Sequence, residues 1–202
     1  MNEREQFHAD RLTGIGGSDI FHLLDPDNGC PRRLWYDKRD TPRDYEDDEQ
    51  LTKWLERGKA LEQIVASIYH KRTQRLIWLA SAIRPWITHF DLPFLGVHID
   101  RWVEDKGPGL SDEDARGVLE IKTANQAMFS KFKREGLPLR YSLQLQHGML
   151  VTGKPWGSFA VFWPDGWDLL WFDVKADAEI QNAIIRVASE FWPKVENGPA
   201  PD

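Results

Sequence analysis

Cysteine is nearly absent from this chain. Its 202 residues include a single one, Cys30, which excludes an internal disulfide framework and any zinc or iron–sulfur site assembled from several cysteines. The expected compartment is therefore reducing, the cytosol. Long apolar runs are missing as well: nothing approaches the roughly 18 consecutive apolar residues of a membrane helix. The opening segment MNEREQFHADRL lacks the apolar centre of a secretory signal, so no membrane association is expected. There is no excess of basic charge, with 26 Lys and Arg against 32 Asp and Glu and a formal net charge of −6. That balance argues against a protein that coats nucleic acid with its whole surface, while leaving room for a local basic contact. No internal repeat or low-complexity segment is found.

What the chain does have is enough apolar material for a core: 41% hydrophobic residues, 10 of all residues being Trp, in a length that suits one domain, 1–202. Residues 7–24 hold a glycine-rich turn followed by Ser18, a residue suited to capping a short helix through Ile20, Phe21, Leu23 and Leu24. CPRRLWYDKRD (30–40) reads as a helix with Pro31 in its first turn, and 41–50 as a charged surface loop. From Gln50 to about Lys71, apolar residues recur at intervals of three and four, the pattern of a long amphipathic helix. Two or three strands follow to about residue 104. Then come a polar connection over 105–117, a strand at 117–125, helices closed by Gly136 and Gly153, a strand pair at 156–163 and 168–174, and a final helix over 176–195 with Ile180, Ile184, Val187 and Phe191 on one side. The tail, 195–202, is expected to fray.

Two features point to chemistry. On the long helix, at about 100° per residue, Leu51, Leu55, Gly58, Val65 and Tyr69 all fall within about 60° of Glu62, which puts a carboxylate in the middle of the apolar stripe. Burying it alone costs several kcal/mol, so it is paired, protonated or faces a cation; a Lys or Arg is the first expectation. In GVLEIKTAN (117–125), strand alternation places Val118, Glu120 and Lys122 on one face and Leu119 and Ile121 on the other. In the preceding strand, Val97, Ile99 and Val103 are expected to face one way and His98, Asp100 and Trp102 the other. If the two strands pair as a hairpin, Asp100, Glu120 and Lys122 converge on one face, with Glu62 approaching from a helix packed over that face. A surface salt bridge is one reading. The other is a divalent-metal site, because clustered carboxylates repel unless a cation neutralises them, and hard oxygen ligands suit Mg²⁺ or Mn²⁺.

The stretches RLTGIGGSDI, LERGKALEQIVASIY, FLGVHIDRW, GVLEIKT and YSLQLQHGMLVTGK, in this order and spacing, resemble the YqaJ-like viral recombinase family. That group includes bacteriophage lambda exonuclease and lies within the PD-(D/E)xK nuclease superfamily. The resemblance covers about residues 8–163 and implies an α/β fold: a single domain with a central mixed, twisted sheet flanked by helices, the restriction-endonuclease-like core. It implies that Asp100, Glu120 and the backbone carbonyl of Ile121 hold Mg²⁺, with Mn²⁺ an alternative, that Lys122 positions the attacking water, and that Glu62 supports the metal site. It further implies that Arg11, Ser18 and Gln144 bind a terminal 5′ phosphate. The repeat Q-L-Q leaves Gln146 as the other register for that glutamine. Two positions depart from the pattern. Ile99 stands where the superfamily motif has Pro, and His98, where a phosphate-contacting serine occurs, is either a phosphate donor or a packed histidine. The cysteine-flanked helix at 30–39 resembles cluster-binding segments of related nucleases, but one cysteine cannot hold a cluster, so no iron–sulfur centre is expected.

The implied function is a metal-dependent 5′→3′ exonuclease that digests one strand of duplex DNA from an end, giving single strands for phage-type recombination. The implied partners are DNA ends, a single-strand annealing protein and further copies of the chain in a ring-shaped trimer, in the cytoplasm of a bacterial host. The rival readings are another nuclease of the superfamily, an endonuclease or single-strand exonuclease, and a non-catalytic DNA-end-binding module.

Overall fold

The computed structural model describes residues 3–39, 49–79, 86–106 and 111–201. The chain begins with α1 (Glu3–Leu12), the short α2 (Phe21–Leu24), α3 (Pro31–Lys38) and the long α4 (Glu49–Thr73), followed by β1 (Leu76–Trp78), β2 (Ile87–Thr88), β3 (Gly96–Val97) and β4 (Arg101–Glu104). After the one-turn α5 (Asp112–Ala115) come β5 (Arg116–Thr123), α6 (Gln126–Glu135), α7 (Leu139–Thr152), β6 (Trp156–Trp163), β7 (Asp168–Lys175) and α8 (Ala178–Asn197). The main sheet has the order β1-β4-β5-β6-β7. Only the β5–β6 pair in it is parallel; the α6–α7 crossover makes that possible, since a parallel return needs a connection long enough to span the sheet. This is the expected mixed sheet with helices on both faces.

Alternation along β5 divides the core in two. Leu119 and Ile121 face α4 and pack with Val65, Ala66, Tyr69, Val103, Ala160 and Phe162. Val118 faces the other way, into the cluster built with α7 and α8 through Leu145, Met149, Phe159, Ile184 and Phe191. Glu120 and Lys122 therefore share the α7 side, as the period of two requires.

The irregular parts of the sequence are where expectation and structure part. Helix α1 was not anticipated; its residues are mostly polar, with Phe7 and Leu12 the main apolar contributions, so it carries little periodicity. Ser18 does not cap a helix. It lies in the turn before Ile20, which holds the N-cap position of α2 without a side-chain bond, because the loop closes through backbone bonds such as Asp19 N–H to the Gly16 carbonyl (2.9 Å). The expected continuous strand through 97–103 is broken: Val97 and Ile99 join the α7-side cluster while Val103 joins the α4 side. The break follows from Asp100, whose Oδ2 accepts the Ile121 backbone N–H at 2.9 Å, a side chain taking a place a strand neighbour would hold. The connection 105–117 contains α5, capped by the Ser111 hydroxyl on the Asp114 N–H (3.1 Å); residues 107–110 lie outside the described residues. So do residues 41–48 of the loop expected over 41–50, whose last two residues begin α4, and the side chains of Leu51, Trp54 and Leu55. The C-terminal tail does not fray where expected, since α8 continues to Asn197, Val195 is buried, and the Trp35 indole N–H donates to the Lys194 carbonyl (2.8 Å).

Candidate active site

Antiparallel pairing of β4 with β5 sets Arg101 opposite Leu119 and Trp102 opposite Val118, which brings Asp100, one residue before β4, beside the centre of β5. Its carboxylate is held by the Ile121 N–H, so Asp100, Glu120 and the Ile121 backbone meet at one point of the sheet. Lys122 Nζ lies 2.5 Å from Glu120 Oε1, and Gln144 on α7 donates to the same oxygen through Nε2 at 2.6 Å. Burial works against the Lys122 charge, but Glu120 and then Asp100 outweigh it and hold the ammonium above the ordinary lysine range. Lys122 is thus a charged hydrogen-bond donor, with 40% of its side chain exposed at the face where a substrate can reach it.

Glu62 lies in the stripe as expected and is 7% exposed, but α4 packs over the Leu119 and Ile121 face of β5 and not, as expected, over the face that carries Glu120 and Lys122. What satisfies it is Arg101, whose Nη1 contacts Glu62 Oε1 and also donates to the Asp100 carbonyl at 2.5 Å, while Nη2 donates to Gln63 Oε1 at 3.1 Å. Sequence reasoning missed Arg101. The available signal was its place one residue after Asp100, on the strand face that α4 covers.

The second group of residues lies at the glycine loop. A Cβ at Gly14 would stand 2.6 Å from the Phe94 carbonyl oxygen, and one at Gly17 would stand 3.1 Å from the Gln144 carbonyl oxygen and 3.5 Å from His147 Nδ1. Only residues without a side chain let this loop lie so close to β3 and α7. Backbone bonds from Ile15 to Phe94 (2.7 Å) and from Gly96 to Ile15 (3.0 Å) pin it there. Asp19, 3% exposed, organises the loop's charges: its carboxylate takes Arg11 at 2.5 Å, Lys38 at 2.6 Å and the Gly16 N–H at 2.8 Å. Burial alone would raise the Asp19 pKa, but Lys38 and Arg11 outweigh it and hold the carboxyl below the usual range. Burial in turn lowers Lys38, against the pull of Asp19. Neither Asp19 nor Lys38 was singled out from sequence, because the first sits inside a turn motif and the second reads as a dipole-complementing helix end.

The structure brings Arg11, the loop bearing Ser18, Gln144, Glu120 and Lys122 into one contiguous line, Gln144 touching both the loop and Glu120. It separates two other candidates. Gln146 faces away, its amide tied to the Lys175 carbonyl (2.8 Å) and the Asp177 N–H (3.0 Å), and is 1% exposed. It joins α7 to the start of α8, and Gln144 is the one of the two that meets Glu120. His98 is packed between Phe7 (ring centroids 4.6 Å) and Trp86 (5.1 Å), with Nε2 3.5 Å from Asp10 Oδ2.

His147, fully buried beside Gly17, makes the loop's seating sensitive to acid. Burial pushes its imidazole from 6.5 down to about 4, with Asp19 and the Ile15 backbone pulling weakly the other way. The unfolded chain therefore binds more protons between these values, and stability falls as pH drops through that window, by about 3 kcal/mol in total. Urea titrations at intervals from about pH 7 to pH 4.5 should show a falling midpoint, with a shallower fall in His147→Leu.

The oxygen donors fit a hard cation. Among the described residues no three His, Cys, Asp or Glu side chains form a metal-holding group. A small divalent ion, however, is commonly held by one or two carboxylates with substrate phosphate and water completing its shell, and Asp100, Glu120 and the Ile121 carbonyl offer such a set.

The YqaJ-like viral recombinase domain family matches residues 6–155. The chain belongs to the YqaJ-like viral recombinase family. It is 28% identical over 202 residues to the uncharacterized protein YqaJ of Bacillus subtilis, an alignment that takes in 98% of this chain and 58% of that protein. The chain thus spans a little over half the length of this curated relative. Among solved structures, its fold is similar to that of an alkaline exonuclease, LHK-Exo, from Laribacter hongkongensis (TM-score 0.74, 21% identity, covering 95% of this chain and 92% of that one). It is also similar to LHK-Exo in complex with dAMP (TM-score 0.73, 20% identity, 95% and 92% covered). A phage-related exonuclease from Haemophilus somnus is more distant, at TM-score 0.58 and 11% identity with 91% and 93% covered. These likenesses agree with the α/β fold expected from sequence, a mixed sheet flanked by helices. No helix among the described residues is long and apolar enough to cross a membrane.

Proposed function

We propose that this YqaJ-like chain is a divalent-metal-dependent 5′→3′ exonuclease that digests one strand of duplex DNA from an end. The observation that carries the reading is the continuity from Arg11 and the glycine loop through Gln144 to Glu120 and Lys122, an anion-binding corner joined directly to a carboxylate–lysine centre. Arg11 and the loop backbone hold a terminal 5′ phosphate, with Ser18 beside them. On this reading the first phosphodiester inward lies against Lys122. Asp100 and Glu120 are the carboxylates that hold the ion, Mg²⁺ or Mn²⁺, with the Ile121 carbonyl. When bound, the ion supplies charge neutralisation at the scissile phosphate and a more acidic water. Lys122 donates hydrogen bonds that orient the attacking water, Gln144 fixes the Glu120 carboxylate, and Glu62 supports the centre from α4 through Arg101. By family, the reading extends to a cytoplasmic role in phage-type recombination, with a single-strand annealing protein as partner and a ring trimer enclosing DNA. Enclosure would let an acidic chain stay on its substrate without a strongly basic exterior.

The test is digestion in Mg²⁺ of a linear duplex labelled at each 5′ and each 3′ end in turn, carrying either a 5′ phosphate or a 5′ hydroxyl. The expected result is stepwise loss from the 5′ end, faster with the phosphate. Arg11→Ala should shrink the advantage of the phosphate about ten-fold, the worth of one charge-assisted bond. Loss from the 3′ end, or cleavage of closed circles, would replace this reading with a different nuclease. No cleavage of any DNA would leave a binding module.

A further inference from the structure

The turn that joins β6 to β7 carries an inference that deepens the proposed function and rests on it. Two non-glycine residues among those described have positive φ, Gln74 (62°) and Trp167 (50°). Gln74 follows the end of α4, where such a conformation is ordinary, with its N–H on the His70 carbonyl (2.8 Å) and its amide on the Lys71 carbonyl (2.7 Å). Trp167 instead closes a hairpin turn, its N–H on the Pro164 carbonyl (3.2 Å), at a left-handed position that suits glycine and strains a bulky side chain. The turn does contain a glycine, but one residue earlier, where a Cβ on Gly166 would stand 2.1 Å from the Trp163 ring. The Trp167 ring meets Phe162 edge-on (centroids 5.4 Å) and is still 59% exposed. A strained conformation that leaves a large aromatic ring in solvent points to use of the ring outside the fold.

Register places this turn near the catalytic strand. β6 runs parallel to β5, with Lys122 beside Val161 and Thr123 beside Phe162, so the turn lies just past the end toward which β5 carries Lys122. Val161 in turn faces Leu170; three residues along β7 at about 3.3 Å each and two strands across at about 4.8 Å put Trp167 roughly 14 Å from Lys122. That is the rise of about four base-pair steps of duplex. The ring lies with Phe162 on the α4 side and Lys122 on the α7 side, so a DNA strand that reaches both crosses the end of the sheet. Both acids beside the ring are answered from α4, Asp165 by Arg57 (2.8 Å) and Asp168 by Arg72 (3.1 Å). The pairs tie the turn to α4 and cancel charge that would repel a phosphate chain.

We propose that Trp167 is a DNA-binding residue: its ring is the platform on which a base of the substrate stacks, a few positions from the phosphodiester at Lys122. Stacking tolerates any base, since each has a π-face, so the contact holds the substrate without selecting a sequence.

The test is binding of a 5′-phosphorylated duplex to the full chain, read by fluorescence anisotropy with Ca²⁺ in place of Mg²⁺, with one abasic nucleotide placed at each position of either strand in turn. In wild type, one or two adjacent positions should lose about ten-fold in affinity, the scale of one stacked base, with the others unchanged. Trp167→Gly should bind the intact duplex about ten-fold more weakly and be indifferent to the abasic position, while Trp167→Tyr should stay within about three-fold of wild type. The melting temperature of Trp167→Gly should equal or exceed that of wild type, because glycine relieves the turn. Equal affinity across the abasic positions, wild-type affinity in Trp167→Gly, or a clear drop in its melting temperature would each overturn the proposal while leaving the nuclease reading standing. A wild-type chain that neither binds nor cuts DNA would overturn both.

Discussion

Glu120→Gln is expected to lower the rate of DNA-end digestion by at least ~10³-fold, because it removes one of the two carboxylates proposed to hold the ion and with it the charge that holds both the ion and Lys122. The substitution is close to isosteric, and an amide oxygen can still accept from Gln144, so the fold should be little affected. Lys122→Ala should lose about 10²- to 10³-fold, the scale found when a single well-placed donor to developing charge is removed. Circular dichroism melts of both variants should lie near wild type, while gel assays of a 5′-labelled duplex in Mg²⁺ and in Mn²⁺ should show little or no shortening. Wild-type rates in Glu120→Gln would mean that the β5 face is a scaffold. The carboxylate and ammonium sharing one strand face would then be an ion pair and nothing more.

Asp19→Ala is expected to be the most damaging change to stability. It leaves Lys38, with 2% of its side chain exposed, as a buried cation without its carboxylate, and it frees Arg11 from the contact that aims it. Breaking one member of a buried pair costs about 3–5 kcal/mol, which in a chain of this size lowers the melting temperature by roughly 10 °C or more. The double variant Asp19→Ala/Lys38→Met should recover much of that loss, since no unpaired charge remains, yet should not recover the preference for a 5′-phosphorylated end. Recovery of stability without recovery of end preference separates the scaffold role of Lys38 from the aiming of Arg11; recovery of both would place the phosphate elsewhere. Acid should act in the same direction as the single variant. The Asp19 carboxyl is held below its ordinary value in the fold, so its contribution is fully present above that ordinary value and is lost as pH falls through the lower, folded one.

How much of this site could be read from sequence depended on the kind of order each residue obeys. Glu120 and Lys122 were placed correctly on one face, opposite Leu119 and Ile121, because a strand alternates with a fixed period of two. Glu62 was placed in a buried stripe because a helix turns at a fixed angle, and a Lys or Arg was the first expected partner. Which cation it was could not be read, since α4 and β4 meet only through folding. Asp100 was expected on a regular strand; the chain instead breaks there, and its carboxylate bonds the β5 backbone, an exchange of side chain for main chain that no periodicity announces. Ser18 looked like a cap by composition, but the loop's own backbone bonds decided the turn. The choice between Gln144 and Gln146 was open in sequence because two residues on a helix differ by about 200° in direction. The packing of α7 against β5 on one side and against the β7–α8 junction on the other settled which of them meets Glu120.

By itself, then, the sequence determined the α/β class, the long helix, the paired strands, the shared facing of Glu120 and Lys122, and membership in the YqaJ-like family, since these rest on local periodicity and on motifs in order. The tertiary structure alone decided that Arg101 answers Glu62, that Asp19 binds Arg11 and Lys38 together, and that Gln144 links the glycine loop to Glu120. Each is a contact between segments far apart in the chain, or a side chain turned by an irregular loop, and such contacts are chosen by the packing of whole elements and by the need to leave no buried charge alone.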